Sequence, residues 1–111
     1  MSQEIILKGI PASPGLTQGK VKIINFLEEI DELAKENIIV ASFLTPDFVS
    51  LIKKNLQFSG IITDKGGATC HAAIVAREFK IPYIAGTVYA TKKLKDDIIV
   101  TMDGEGGIVY K

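Results

Sequence analysis

The stretch Thr63-Asp64-Lys65-Gly66-Gly67-Ala68-Thr69-Cys70-His71 gathers the residues of this chain best suited to chemistry. It holds the only histidine, His71, and the only cysteine, Cys70, which Ala68 and Thr69 separate from a glycine pair. Adjacent glycines permit backbone angles closed to other residues and let a ligand approach the main chain. Cys70 to Phe79 reads as a helix, which puts His71 in its first turn. The first backbone N–H groups of a helix have no intrahelical partner, and with the glycine loop they make a cradle suited to phosphate. The helix dipole disfavours an imidazolium at that end, and a neutral imidazole is a nucleophile used in covalent catalysis. A phosphoryl group on His71 would direct its oxygens at the backbone of Gly66, Gly67, Ala68, Thr69 and Cys70. On the residues alone two readings stay open: a phosphoryl-accepting histidine, or one that pads a helix start.

The elements around this loop alternate between strand and helix. Ile5-Ile6-Leu7 is a first apolar run, ending in Gly9-Ile10-Pro11-Ala12-Ser13-Pro14-Gly15, whose prolines and glycines predict an ordered loop. Gly19 to Ile24 alternates polar with apolar residues, as a half-buried strand does. Glu28 to Glu36 fits a short surface helix or turn. Ile38-Ile39-Val40-Ala41 and Gly60-Ile61-Ile62-Thr63 are unbroken apolar runs of the kind buried on both faces of a sheet. Between them Thr45-Pro46-Asp47 starts a helix, with Thr as cap and Pro in the first turn; Phe48, Leu51 and Ile52 form its buried face and Lys53-Lys54 its cationic end. The second buried run delivers the chain to the glycine loop, at a strand's carboxyl end, where open α/β sheets place their sites. Pro82 stops the helix after His71. Tyr83-Ile84-Ala85 is a short strand, Thr91 to Lys95 a helical turn, and Ile98 to Met102 a strand that returns through Asp103-Gly104-Glu105-Gly106-Gly107 into Ile108-Val109-Tyr110 as a hairpin. The expectation is one α/β domain over residues 1–111, with a mixed sheet and two or three helices.

Composition narrows the function. Lys plus Arg and Asp plus Glu number 13 each, so the net charge is zero and a broad basic footprint for nucleic acid or anionic membrane is excluded. No apolar run reaches the roughly 18 residues of a membrane span. A single cysteine allows no internal disulfide and no cysteine zinc cluster, and a single histidine no site needing two imidazoles. No metal site is expected in this chain. With no targeting segment and no disulfide framework, the cytoplasm is the default compartment.

Gly66-Gly67-Ala68-Thr69-Cys70-His71-Ala72-Ala73-Ile74-Val75-Ala76-Arg77-Glu78, followed by Ile81-Pro82 and Gly86, closely resembles the phosphohistidine signature of phosphoenolpyruvate-utilising enzymes. That family includes phosphoenolpyruvate synthase, pyruvate phosphate dikinase and the first enzyme of the bacterial sugar phosphotransferase system. Gly9 to Val21 is similar to the family's domain opening, Val40-Ala41 with Thr45-Pro46-Asp47 to its middle strand and helix, and Val100 to Tyr110 to its closing hairpin. The Thr-Cys-His triplet is more like the synthase and dikinase branch. The resemblance implies a swivelling β/β/α phosphohistidine domain. His71 would carry the phosphoryl group between an ATP-grasp-like nucleotide-binding domain or subunit and a phosphoenolpyruvate/pyruvate-binding barrel. It implies a component of a phosphotransferase that does not turn over alone. No cofactor is expected in this domain itself, with Mg and ATP or phosphoenolpyruvate at the partner stations. It is equally compatible with a free-standing protein and with a piece of a larger enzyme. The competing class is a phosphate- or phosphometabolite-sensing module that kept the fold.

The remaining residues of the motif have plainer roles beside the chemical ones. Thr69 is expected to cap the helix; the resemblance adds a regulatory phosphorylation site, where a phosphate would crowd the transfer site with negative charge. Cys70 reads either as a reactive thiol at a helix start or, preferred here, as a small buried residue. At Ala68 the family often has a larger, sometimes basic, residue, so no side chain is expected to neutralise phosphate there. Arg77 is six residues beyond His71, about 240° around the helix, which favours a structural role over a phosphate clamp. Lys65 reads as a solvated loop lysine able to steer phosphate. Ser13 is assigned no chemistry, and the acidic run Glu28, Glu29, Asp31 and Glu32 reads as a solvated face.

Overall fold

The computed structural model describes residues 4–25, 37–54 and 58–111. The acidic run and the helix or turn expected over Glu28 to Glu36 fall outside the described residues, as do the side chains of Leu51 and Ile52. The element order is β1 (Ile5–Lys8), β2 (Ile10–Ser13), β3 (Leu16–Ile23), β4 (Asn37–Ala41), α1 (Pro46–Lys54), β5 (Gly60–Thr63), α2 (His71–Glu78), β6 (Tyr83–Ala85), α3 (Ala90–Lys93), β7 (Ile99–Asp103) and β8 (Ile108–Tyr110).

All eight strands join one mixed sheet in the order β1-β8-β7-β3-β4-β5-β6-β2. Strands β3, β4, β5 and β6 are parallel neighbours; the other pairings are antiparallel. β1 and β2 lie at opposite ends of this order yet only Gly9 separates them in the chain. The sheet therefore rolls up until its two ends meet at Gly9, whose N–H donates to the Gly107 carbonyl at 2.8 Å.

The predicted loop of Gly9 to Gly15 is thus a correction: its first half is strand β2. Pro11 is tolerated because β2 is a terminal strand pairing only with β6, and a bulge between Pro11 and Ser13 accommodates the irregular register.

Rolling gives the sheet an inner and an outer surface, and the period of two divides the apolar residues between them. Leu7, Val21, Ile38, Val40, Ile62, Ile84, Val100, Met102 and Val109 pack together inside, with Ala90 and Leu94 from α3 and its end filling one mouth. Ile39, Ile61, Tyr83 and Ala85 face outward, where α1 supplies Phe48 and Val49 and α2 supplies Ala72, Ala73, Val75 and Ala76. Both surfaces are covered, which is why β4 and β5 read as unbroken apolar runs rather than alternating ones. The small residues of α2 let its backbone come close to the sheet and fix where its first turn stands. α1 starts as its sequence predicts, with the Phe48 N–H donating to Thr45 Oγ1 at 3.2 Å.

Candidate functional site

Three parallel strands end side by side: β4 at Ala41, β5 at Thr63 and β6 at Ala85. The loop from Asp64 to Cys70 leaves β5 there and enters α2. Its start is stitched to the end of β4, with the Asp64 N–H donating to the Ala41 carbonyl at 3.1 Å and the Lys65 N–H to the Ser42 carbonyl at 2.9 Å. The Asp64 carboxylate reaches the other way and accepts from the Thr91 N–H at 2.9 Å and from its hydroxyl, tying the loop to α3. Thr63 Oγ1 donates to the Lys65 carbonyl at 2.6 Å. Further on, Arg77 Nη1 donates to the Ala68 carbonyl at 2.9 Å and to the Ala12 carbonyl at 2.7 Å. Arg77 is therefore structural, a brace between α2, the loop and β2. Between these ties stand Gly66 and Gly67. Gly66 has φ +101°, which a side chain rarely adopts, and a Cβ built on Gly67 meets nothing within 4 Å.

His71 is the first residue of α2 and its side chain is exposed. The residue before it, Cys70, is the N-cap, with extended backbone (φ −69°, ψ 159°) and no hydrogen bond from a side chain to the first turn. The expected cap, Thr69, is thus corrected: it lies one residue outside the cap position, exposed. The cause is the turn closed by the Cys70 N–H on the Gly67 carbonyl at 3.3 Å, which delays the helix by one residue. That bond also commits the Cys70 amide within the turn, so of the five positions expected to face phosphate this one has its N–H turned inward. Gly66 is exposed, Gly67 and Ala68 are half-exposed, and all three lie on the approach to His71.

A pocket of about 120 Å³ opens beside the imidazole, lined among others by Phe43, Lys65, Gly66, Cys70, His71 and Tyr83. Phe43 is 55% exposed, and Lys65 Nζ stands 5.9 Å from the centre of its ring, within reach of a cation–π contact. Lys65 is thus the cation of the pocket that contains His71. Tyr83 forms the floor, 1% exposed. Burial pushes its phenol up to about 12. Tyr83 and Phe43 were not singled out by sequence reasoning. Tyr83 sits in a three-residue strand and Phe43 in a loop, and only the registry of β6 against β5 brings the phenol beneath the glycines. Among the described residues no group of three or more His, Cys, Asp and Glu side chains is placed to hold a metal, and no helix is long and apolar enough to cross a membrane.

A rolled mixed sheet with helices on one outer face, presenting a lone histidine at an uncapped helix start behind a glycine pair, defines the class of swivelling β/β/α domains. The family model described as PEP-utilising enzyme, mobile domain, matches residues 33–107, and the chain belongs to that family. It is 50% identical over 108 residues to a probable phosphoenolpyruvate synthase of Archaeoglobus fulgidus, covering 97% of this chain and 14% of that protein. It is 50% identical over 110 residues to that of Methanothermobacter thermautotrophicus, covering 99% and 16%, and 48% identical over 108 residues to the phosphoenolpyruvate synthase of Pyrococcus furiosus, covering 97% and 13%. The chain thus spans only about a seventh of the length of these relatives. Among solved structures, Enzyme I superposes with a TM-score of 0.62 at 38% identity, over 72% of this chain and 32% of that one. Aconitase X of Thermococcus kodakaraensis superposes with a TM-score of 0.69 at 22% identity, over 94% and 95%, a likeness of fold alone.

Proposed function

We propose that residues 1–111 act as a phosphoryl-carrier domain in which His71 takes a phosphoryl group from one partner and delivers it to another. The observation that carries this reading is the exposed imidazole on the first turn of α2, free of any side-chain cap, beside a glycine backbone that open space faces. A ring nitrogen of His71 attacks phosphorus. The nitrogen–phosphorus bond forms as the bond from phosphorus to the donor's leaving oxygen breaks, and the return step reverses this onto the acceptor oxygen. In such transfers charge spreads over the three remaining oxygens, and catalysis is largely positioning and electrostatic stabilisation. The main chain of Gly66 to Thr69 and the start of α2 supply oriented N–H groups, and Lys65 supplies positive charge at the pocket. Gly67 lets the phosphoryl group approach without meeting a Cβ.

The stations are proposed to be a nucleotide-binding, ATP-grasp-like partner and a phosphoenolpyruvate/pyruvate-binding barrel, in keeping with the relatives named phosphoenolpyruvate synthase. Mg²⁺ and ATP or phosphoenolpyruvate belong to those stations, and this chain is the phosphohistidine component of a phosphotransferase. The exposed Thr69 hydroxyl, two residues from His71, is a candidate for regulatory phosphorylation, because a phosphate there would repel the incoming group.

The test is an intact-mass measurement after incubation with phosphoenolpyruvate or ATP and the partner domains of a phosphoenolpyruvate synthase relative. The expected result is a gain of about 80 Da that brief acid treatment removes and His71→Ala abolishes. Because His71 is exposed, His71→Ala should change stability by no more than about 0.5 kcal/mol, so loss of labelling reads chemistry and not folding. Acid-stable label would mark Thr69 instead. Reversible phosphate binding with no covalent label would replace the carrier with a sensing module.

A further inference from the structure

Tyr83 brings together groups from both ends of the site loop. Thr63 has one hydroxyl proton, and it is given to the Lys65 carbonyl at 2.6 Å. The contact between Thr63 Oγ1 and the Tyr83 hydroxyl, 2.9 Å, therefore has Tyr83 as its donor. The Cys70 thiol lines the same pocket beside this hydroxyl. A Cβ on Gly66 would lie 3.4 Å from the Tyr83 hydroxyl and 3.8 Å from Cys70 Sγ, so this chain of groups runs directly under the loop. Its directions are fixed at both links: Tyr83 O–H to Thr63 and Thr63 O–H to the Lys65 carbonyl. The chain ends on the residue before the glycine pair, and Cys70, the residue before His71, stands beside it under Gly66. The geometry is set by strand pairing, since Ile61 pairs with Tyr83 and Thr63, two residues on, shares the same outward face.

We infer that Tyr83 is a positioning residue for His71: its buried hydroxyl fixes the distance between the glycine backbone and the start of α2, and so aligns the phosphate cradle with the imidazole. This rests on the carrier reading for its consequence, though not for its geometry.

The experiment compares the wild-type chain with Tyr83→Phe, which keeps the ring in the core and removes only the hydroxyl. Two measurements are made well below the melting temperature of either protein. The first is the rate at which phosphoramidate phosphorylates His71, a donor that needs no partner and leaves ammonia when its phosphorus–nitrogen bond breaks. The second is native-state amide exchange at Lys65 and Cys70, whose N–H groups donate to the Ser42 and Gly67 carbonyls at the two ends of the loop, referred to Ile39 and Val40 in the core. Tyr83→Phe is expected to slow phosphorylation about fivefold and to speed exchange at the loop about tenfold relative to the core amides. Thr63→Ser, which keeps the hydroxyl, is expected to behave as wild type, and Thr63→Val combined with Tyr83→Phe to be no worse than Thr63→Val alone, because the two hydroxyls act as a unit. Wild-type rates of both processes in Tyr83→Phe overturn the inference, even if the variant melts lower. Should the wild-type chain itself take no phosphate on His71, the carrier reading fails, and the exchange comparison still decides whether Tyr83 holds the loop.

Discussion

Gly9 and Gly67 each carry the chain between strand and next element, and a methyl group added at each would meet opposite surroundings. At Gly9 it would lie 2.5 Å from the Ala85 carbonyl oxygen and 2.8 Å from the methyls of both Ile84 and Thr87. At Gly67 it would meet nothing within 4 Å. Gly9 is glycine because the rolled sheet closes there with no space left over; Gly67 stands where space is kept. One is demanded by the fold and the other by what must enter. Conformational freedom does not separate them, because neither has a positive φ. The same residue type therefore reports packing at the seam and access at the site, and only the surroundings tell the two apart.

The largest expected effect tests the seam. Gly9→Ala pushes a carbon against backbone that cannot retreat without opening the junction of β1 and β2, and overpacking of this kind costs about 3 kcal/mol. For a domain of this size that lowers the melting temperature by roughly 10–20 °C, measurable by thermal denaturation. Phosphorylation of His71 at low temperature should be unaffected, because the seam touches no group of the pocket. A melting temperature within a degree or two of wild type would mean that the sheet does not close tightly at Gly9.

A second test uses the titrating group beneath the site. The folded chain holds the Tyr83 proton up to about 12, against 10.0 for the free phenol. Between those values the unfolded chain binds fewer protons than the folded one, so stability falls as pH rises. The contribution is fully present below pH 10 and is lost above it, by about 2–3 kcal/mol at most. Urea unfolding of wild type and Tyr83→Phe at pH 9 and pH 11.5 reads it as a difference: the wild-type chain should lose more stability than the variant over that interval. Equal losses would place the phenol in contact with water and remove it from the floor of the pocket.

Much of this arrangement was legible from the amino acids. The runs at Ile38 to Ala41 and Gly60 to Thr63 announce strands covered on both faces, and the glycine pair before a lone histidine announces the site. Ile108 to Tyr110 pairs with β7 as the hairpin its turn residues predict. Strand β2 was not legible. Pro11 and Pro14 speak for a loop, and the strand exists because β6 has an edge to pair, a fact settled by residues about 70 positions away. Thr69 misled for a local reason: its type suits a cap, but a single turn hydrogen bond between Cys70 and Gly67 moves the helix start past it. The role of Tyr83 could not be read at all, because its partner Thr63 is 20 residues upstream and is brought to it only by the parallel pairing of β5 and β6.

The smallest expected change is also the one that can break the contrast between seam and site. Gly67→Ala adds a methyl group in open space at a residue whose φ is already negative. Its folded state meets no clash, and the unfolded chain loses some freedom, so stability should hold or rise by up to about 1 kcal/mol. What should suffer is transfer. The new Cβ occupies the approach that the phosphoryl group needs, and a displacement of that order in reacting geometry slows phosphorylation of His71 by roughly tenfold. Thermal melting and phosphoramidate labelling on the same sample separate the two quantities. A lower melting temperature with unchanged labelling would make Gly67 a packing glycine like Gly9. An unchanged or higher melting temperature with slowed labelling would show that the space over Gly67 is kept for the group His71 carries.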